Sequence, residues 1–527
     1  MRIARRVALA AALVWASGSL AQPAAAQAPA AQFAPPTGLA TAPANGLLIH
    51  QPREPSTTTA NAVVHVLGRT AAGATVRVGG EAVTVQRTGV FARDGIALQP
   101  GANTVLVEAL MPDGKTRFTQ TLEVERLSPP PAAPEAAASA PAAIEPLPAA
   151  LYAAGPEGAA LTHGVHEVRL GGPFLAELPA GTLLMVNGRT ATHYRVALAP
   201  DTTVWAPRES LAPAPAGTVQ PWASFTSLSV EGGTGGDTVS IPVPAGLPYA
   251  IRAVTPQANG SAQLELDLFG AHLATTWITH RASARLVREV SVEQPADGRL
   301  RVRIALHGRL LWGWRVEHNG STLQVTVQAP PALHARSPLR GLRIALEPGH
   351  GGPTNLGAVG ATGVPEKDVN RWTVEALKAE LESAGARVQI VREGDENPNL
   401  AERAARVAAS DAQLFISVHA NSVDTSRGVL RVQGASAYYR HAHSRDLAAA
   451  IQRRMLEQTG LADFGLVGAF NYLPIRRITH TPAVLVEQAF MSHPADEAQM
   501  LDASFRARTA KAVRLGVEDF LRAALAP

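Results

Sequence analysis

From Leu47 to Val327 apolar and polar residues alternate in short runs, the period of strands with one buried face. A first group comprises Val63 to Leu67, Thr75 to Val78, Val83 to Gln86, Asn103 to Leu110 and Thr116 to Val124. Gly79-Gly80, Pro100-Gly101 and Pro112-Asp113-Gly114 separate these runs as turns, which predicts a small antiparallel sandwich over residues 45–127. Residues 128–150 are almost entirely Pro, Ala, Glu and Ser and predict an extended linker. Thr182 to Val186, Tyr194 to Leu198 and Thr203 to Ala206 predict a hairpin-rich module over 151–222, with Asn187-Gly188 as the turn. Val239 to Val243, Leu264 to Phe269, Leu300 to Leu306 and Leu323 to Val327 predict a third β domain over 223–331.

After Pro330-Pro331 the period changes. Leu342 to Leu346, Val388 to Val391, Leu414 to Val418 and Ala483 to Val486 are short apolar runs expected to be buried strands. Between and after them, Lys367 to Ala384, Leu400 to Ala409, Ser444 to Gln458 and Phe505 to Leu525 predict helices. In the first of these, Val369, Trp372, Leu377 and Leu381 recur at helical spacing and Gly385 ends the helix. The fold class is therefore multidomain: N-terminal all-β modules, then a C-terminal α/β domain over residues 340–527.

Composition supports several domains. The chain has 527 residues, 46% of them hydrophobic and 17% charged, enough to bury several cores. It contains no cysteine, which excludes disulfides, thiolate metal sites, iron–sulfur clusters and cysteine nucleophiles. Any metal must be held by His, Asp or Glu. The formal net charge of +4 suits an anionic surface but gives no nucleic-acid partner.

The N-terminus adds a compartment. Arg2, Arg5 and Arg6 precede an apolar run from Val7 to Leu20, then small residues through Ala26, the pattern of a secretory signal over residues 1–26. An Ala, Pro and Gln rich lead over 27–44 is expected to be disordered. No later segment is apolar enough to span a bilayer. The protein is expected to be exported, to the periplasm first and the extracellular space as alternative.

In open α/β sheets ligands sit beyond the carboxyl ends of the strands. His350 follows the first strand within Glu347-Pro348-Gly349-His350-Gly351-Gly352, His419 ends Phe415-Ile416-Ser417-Val418, and Glu487 ends Val484-Leu485-Val486. Glu366 opens the first helix and can fold back over the same edge. Two imidazoles and a carboxylate match a catalytic zinc site with one position left for water, so His350, Glu366 and His419 are the candidate ligands of one zinc ion. Glu487 is the candidate acid–base group. Each has a second reading: a histidine at a strand end can be a hydrogen-bonded structural residue, and Glu366 can be a negative charge at a helix N-terminus.

Their joint order carries more. EPGHGG, GVPEKDVN, FISVHAN and PAVLVEQAFMSHPAD resemble the signature blocks of the zinc-dependent N-acetylmuramoyl-L-alanine amidases of type 3, over about Leu342 to Leu521. That resemblance implies a mixed sheet flanked by helices and hydrolysis of the amide between N-acetylmuramic acid and the L-alanine of the stem peptide. It implies peptidoglycan as partner, zinc held by His350, Glu366 and His419, and Glu487 as the catalytic glutamate. Asn421 and Arg476 are candidate substrate contacts. Glu347 stands where the family generally has Asp, and His493 where Asn is common. The stretch between His419 and Ser444 leaves little room for the long inserted helix that blocks the site in some relatives. His441, His443, His480 and His493 are expected to face solvent or substrate.

The β modules carry looser resemblances: residues 45–127 to immunoglobulin-like modules, 151–222 to SH3-like modules, and 223–331 to AMIN-type domains that place cell-wall amidases. A monomer is expected, and a protein activator is not readable from the sequence. The alternatives are a zinc peptidase acting on another stem-peptide bond, or a wall-binding scaffold without activity.

Overall fold

The alternating runs become sheets in the computed structural model, which describes residue 43 and residues 45–127, 143–166, 170–254 and 260–525. The expected signal, lead and most of the linker lie outside the described residues.

Residues 45–127 form two sheets, one of Leu47–Gln51, Val63–Thr70 and Val90–Ala97, the other of Ser56–Thr59, Arg117–Arg126, Gly101–Leu110, Thr75–Val78 and Glu81–Val83. Their inward residues, among them Val66, Val76, Phe91, Val107 and Leu122, share one core, so this is a sandwich. The run Val83 to Gln86 contributes its first residue to a strand and Val85 to an isolated bridge with Phe91.

The next module is a seven-stranded sheet opened by Glu145–Ala154, which begins inside the stretch read as a linker. Pairing explains this: despite its Pro and Ala content, the segment is held between Leu183–Arg189 and Leu211–Pro213. The hairpin at Asn187-Gly188 is a correction. Both residues lie inside the strand Leu183–Arg189 at a register shift, and the chain reverses three residues later, where the Thr190 N–H donates to the His193 carbonyl (2.8 Å). Residues 223–328 fold into a five-stranded and a four-stranded sheet around Leu264, Leu266, Val302, Ile304 and Val325.

In the C-terminal domain the strands are β1 (Arg343–Pro348), β2 (Arg387–Ile390), β3 (Leu414–Asn421), β4 (Ala435–Tyr439), β5 (Asp463–Val467) and β6 (Ala483–Phe490). The helices are α1 (Glu366–Ser383), α2 (Leu400–Ala408), α3 (Arg445–Thr459), α4 (Leu473–Arg477), α5 (Pro494–Met500) and α6 (Ala503–Ala524). The sheet order is β2-β1-β3-β6-β4-β5. The first four strands in this order are parallel, and β4 runs antiparallel to β6, which makes the sheet mixed.

Alternation decides the layers. Ile344, Leu346, Leu414, Ile416, Val484 and Val486 pack with α1, α3 and α6, while Ala345, Phe415 and Leu485 pack with α2 and α4 on the other face. Strands buried on both faces read as continuous apolar runs, which is why β1, β3 and β6 stood out in the sequence. Between Asn421 and α3 the helical structure is limited to the three-residue turns Thr425–Arg427 and Ala442–Ser444, in keeping with the expected lack of a long inserted helix.

The domains are packed together. Trp312, from the preceding β domain, is buried in the α1/α6 core, and Trp314 and Thr479 exchange two hydrogen bonds of 2.9 Å.

Candidate active site

The carboxyl ends of β1, β3 and β6 place the chemistry at one edge. At the end of β1 the Gly349 N–H donates to the Val418 carbonyl (2.9 Å), and His350 turns through a left-handed φ of 63°. That conformation is costly for a residue with a Cβ and is kept only where surroundings enforce it. Here Arg403 of α2 enforces it: its Nη2 donates to the His350 carbonyl (2.8 Å), its Nη1 to Glu347 Oε1 (2.8 Å), and its Nε to the Pro398 carbonyl (2.9 Å). α2 is itself set by a capping box in which Asn399 and Glu402 exchange backbone and side-chain bonds.

His350 Nδ1 lies 2.7 Å from Asn355 Oδ1. An amide oxygen only accepts, so Nδ1 donates to it, and Nε2 is directed at Glu366 Oε2, 3.1 Å away. Glu366 is the first residue of α1 and 1% exposed. Its Oε1 lies 3.1 Å from His419 Nδ1 and accepts from the Ala420 N–H (3.1 Å), while Oε2 accepts from the Ala358 N–H (2.9 Å). Burial would raise the Glu366 pKa, but the imidazoles of His350 and then His419 outweigh it and hold the carboxyl well below its usual range. Burial lowers the pKa of His419, favouring the neutral form that binds a metal.

The three residues are buried and their candidate ligand atoms lie within 4.8 Å of one another. Two glycines make the space. A Cβ on Gly349 would overlap the His419 imidazole, and one on Gly357 (φ 71°) would overlap Glu366 and His350. The donor set and this cradle fit zinc in a catalytic rather than a four-ligand structural site. Glu487, 3% exposed, is the register partner of His419 on the neighbouring parallel strand, so both side chains leave the same face of the sheet.

Around this set stands a shell that the sequence reading did not single out. Asn370 Nδ2 donates to Glu366 Oε1 (3.1 Å), Gln488 Nε2 donates to Asn370 Oδ1 (3.1 Å) and the His419 carbonyl (3.2 Å), and Thr373 Oγ1 donates to Gln488 Oε1 (2.6 Å). Polar Asn370 and Thr373 interrupt the apolar stripe of α1, which was the available signal. The Tyr472 ring meets His419 edge-on at 5.6 Å, and its hydroxyl donates to Glu347 Oε1 (3.2 Å).

Residues 344–519 match the family model described as N-acetylmuramoyl-L-alanine amidase. YqiI, an uncharacterized protein of Bacillus subtilis (strain 168), is 31% identical over 196 residues, 36% of this chain and 90% of its own length. The chain belongs to the N-acetylmuramoyl-L-alanine amidase family. The amidase LytC of the same Bacillus strain is 31% identical over 207 residues, which cover 38% of this chain and only 40% of LytC. The catalytic domain of CwlV, an amidase from Bacillus (Paenibacillus) polymyxa, is 28% identical, with 34% of this chain and 98% of that domain covered and a TM-score of 0.32.

The remaining candidates of this amidase domain have diverse surroundings. Asn421 is buried two residues beyond His419, and its Nδ2 donates to the Tyr438 hydroxyl (3.1 Å). Arg476 is engaged by Glu177 of the second β module (3.0 Å) and lies 4.9 Å above the Phe174 ring. The extra histidines do not face solvent. His441 and His443 pack edge-on against Trp314 at 5.3 and 5.0 Å, His480 is buried beside them, and His493 caps α5 through Nδ1. Glu347, in the place of the family's Asp, is fully buried in its ion pair with Arg403.

Proposed function

We propose that the protein is an exported zinc amidase that cleaves the bond between N-acetylmuramic acid and the L-alanine of the peptidoglycan stem peptide. The observation that carries this reading is the buried His350, Glu366 and His419 group with Glu487 in register beside it, in a domain of the amidase family. His350, Glu366 and His419 would hold one zinc ion, which would supply a Lewis acid that lowers the pKa of water to about 7 and polarises a carbonyl oxygen. Glu487 takes the proton of the attacking water on a carboxylate oxygen and passes it to the departing alanine nitrogen. Asn370 and the Ala358 and Ala420 N–H groups hold Glu366 as a carboxylate. Asn421, at the edge of the site, is a substrate contact in this reading, and Arg476 reaches substrate only when its pair with Glu177 opens.

The β modules, read as immunoglobulin-like, SH3-like and AMIN-like, deliver this domain to the wall as parts of a monomer. Export to the periplasm rests on the basic and apolar pattern of residues 1–26; no described helix is long and apolar enough to cross a membrane. The test is to incubate the protein with peptidoglycan, with and without chelator, and identify the new ends. Free L-alanine amino termini on intact glycan, lost with chelator and restored by zinc, support the reading. A cut inside the peptide would move it to a zinc peptidase, and no release by zinc-loaded protein would leave a scaffold.

A further inference from the structure

Two segments frame the site: 351–365 leads into Glu366, and 422–434 follows Asn421. The N-terminal sandwich grips both. Arg69 Nη1 donates to the Thr362 carbonyl (3.1 Å), and Asp94 accepts from the Val429 N–H (3.1 Å) and the Leu430 N–H (2.7 Å). Leu67, Val90 and Ala92 close an apolar cluster with Val429 and Ala361. Backbone groups of both framing segments are thus satisfied by side chains of another module, a docked arrangement unlike that of a free spacer.

Beside this contact lies a groove of about 400 Å³, walled by Asn61 and His65 of the sandwich and by Val423, Asp424, Arg427 and Arg431 of the catalytic domain. Val423 is four residues past His419, so the groove begins within about 14 Å of that histidine along even a fully extended chain. Two arginines against one carboxylate leave its charge net positive. Arg427 and Arg431 are exposed, and neither has an ion-pair partner among the described residues. Asp424, the carboxylate in the same wall, caps a turn by accepting from the Ser426 N–H (2.9 Å).

We propose that this groove, built jointly by the sandwich and the catalytic domain, is an anion subsite for the free carboxylates of the stem peptide. It rests on the amidase reading, since it places the peptide beyond the bond to be cut. Arginine forks suit carboxylates, and the sandwich wall keeps the peptide from leaving sideways.

The test uses the full chain, a muramoyl peptide with free carboxylates, and the same peptide with its carboxylates amidated. Arg427→Gln and Arg431→Gln should each raise KM for the acidic peptide about two- to fivefold, with kcat unchanged, the size of exposed ion pairs. KM for the amidated peptide should not respond. Asn61→Trp, which fills the groove from the sandwich side, should also raise KM for the acidic peptide. Equal changes on both peptides, or none, overturn the subsite. Should the unaltered chain cut neither peptide, the amidase reading fails separately, and calorimetric binding of the uncut acidic peptide to Glu487→Gln, with and without the arginine changes, still decides the groove. Arginine-dependent binding of a polyphosphate chain, with peptide binding intact in the same variants, would assign the groove to a wall polyanion and overturn the proposal.

Discussion

His419 and Glu487 are register partners on adjacent parallel strands, each just past an apolar run and within three residues of the carboxyl end of its strand. Their side chains leave one face of the sheet, toward Tyr472 and α2. The sheet thus sets a candidate metal ligand and a carboxylate side by side without any loop having to hold them, and rigid elements hold catalytic geometry better than loops do.

Glu487→Gln should therefore leave metal binding intact and remove proton transfer. Turnover should fall about 10²- to 10⁴-fold, with an unchanged zinc-to-protein ratio by atomic absorption. Full activity in this variant would remove Glu487 from the role of base.

Gly349→Ala tests the cradle. The added Cβ would overlap the His419 imidazole, so the ring must swing away from Glu366. Zinc affinity, measured by competition with a chromogenic chelator, should fall about 10- to 100-fold, as for other disturbances of ligand orientation. Unchanged affinity would mean that His419 binds in another rotamer or is not a ligand.

What was legible in the sequence follows from the physics of parallel sheets. β1, β3 and β6 are apolar on both faces, so they appear as runs, and the chemistry lies where such runs end. β4 and β5 were missed because neither is a continuous aliphatic run, Ala435–Tyr439 being Ala, Ser and Tyr and Asp463–Val467 carrying Asp463 and Gly465, while α4 and α5, at five and seven residues, are too short for a 3.6-residue period to show. The Glu347–Arg403 pair joins residues 56 apart, and nothing in either local pattern points to the other. Docking of the sandwich was hidden for a further reason: Arg69 and Asp94 bind backbone atoms, which carry no residue-type signal.

Arg403→Met should be severely destabilising. Glu347 and Arg403 are at most 1% exposed at their side chains, and removing Arg403 leaves a buried carboxylate with the Tyr472 hydroxyl as its hydrogen-bond donor. Breaking a buried pair costs about 3–5 kcal/mol, readable as a lower denaturant midpoint. A double change to Arg403→Met with Glu347→Leu should recover part of that loss, because the unpaired carboxylate is gone, while the buried Arg392 loses Glu347 as a neighbouring charge. If the single variant melts like the unaltered protein, the pair is not what holds the His350 turn.

The histidines packed on Trp314 predict acid sensitivity. Burial, then the neighbouring His443, lowers His441 to about 3; burial lowers His443 to about 4; burial, then Arg315, lowers His480 to about 4. In the unfolded chain each titrates near 6.5. Between about pH 6.5 and 4 the unfolded chain therefore binds more protons, so stability is complete above about 6.5 and declines as the pH falls toward 4. The slope is about 1.4 kcal/mol per pH unit for each histidine. Thermal melts between pH 7 and 5 should show this decline, and His480→Gln should make it shallower. His419 titrates in both proteins and cancels in the comparison, so equal slopes would show that His480 does not contribute.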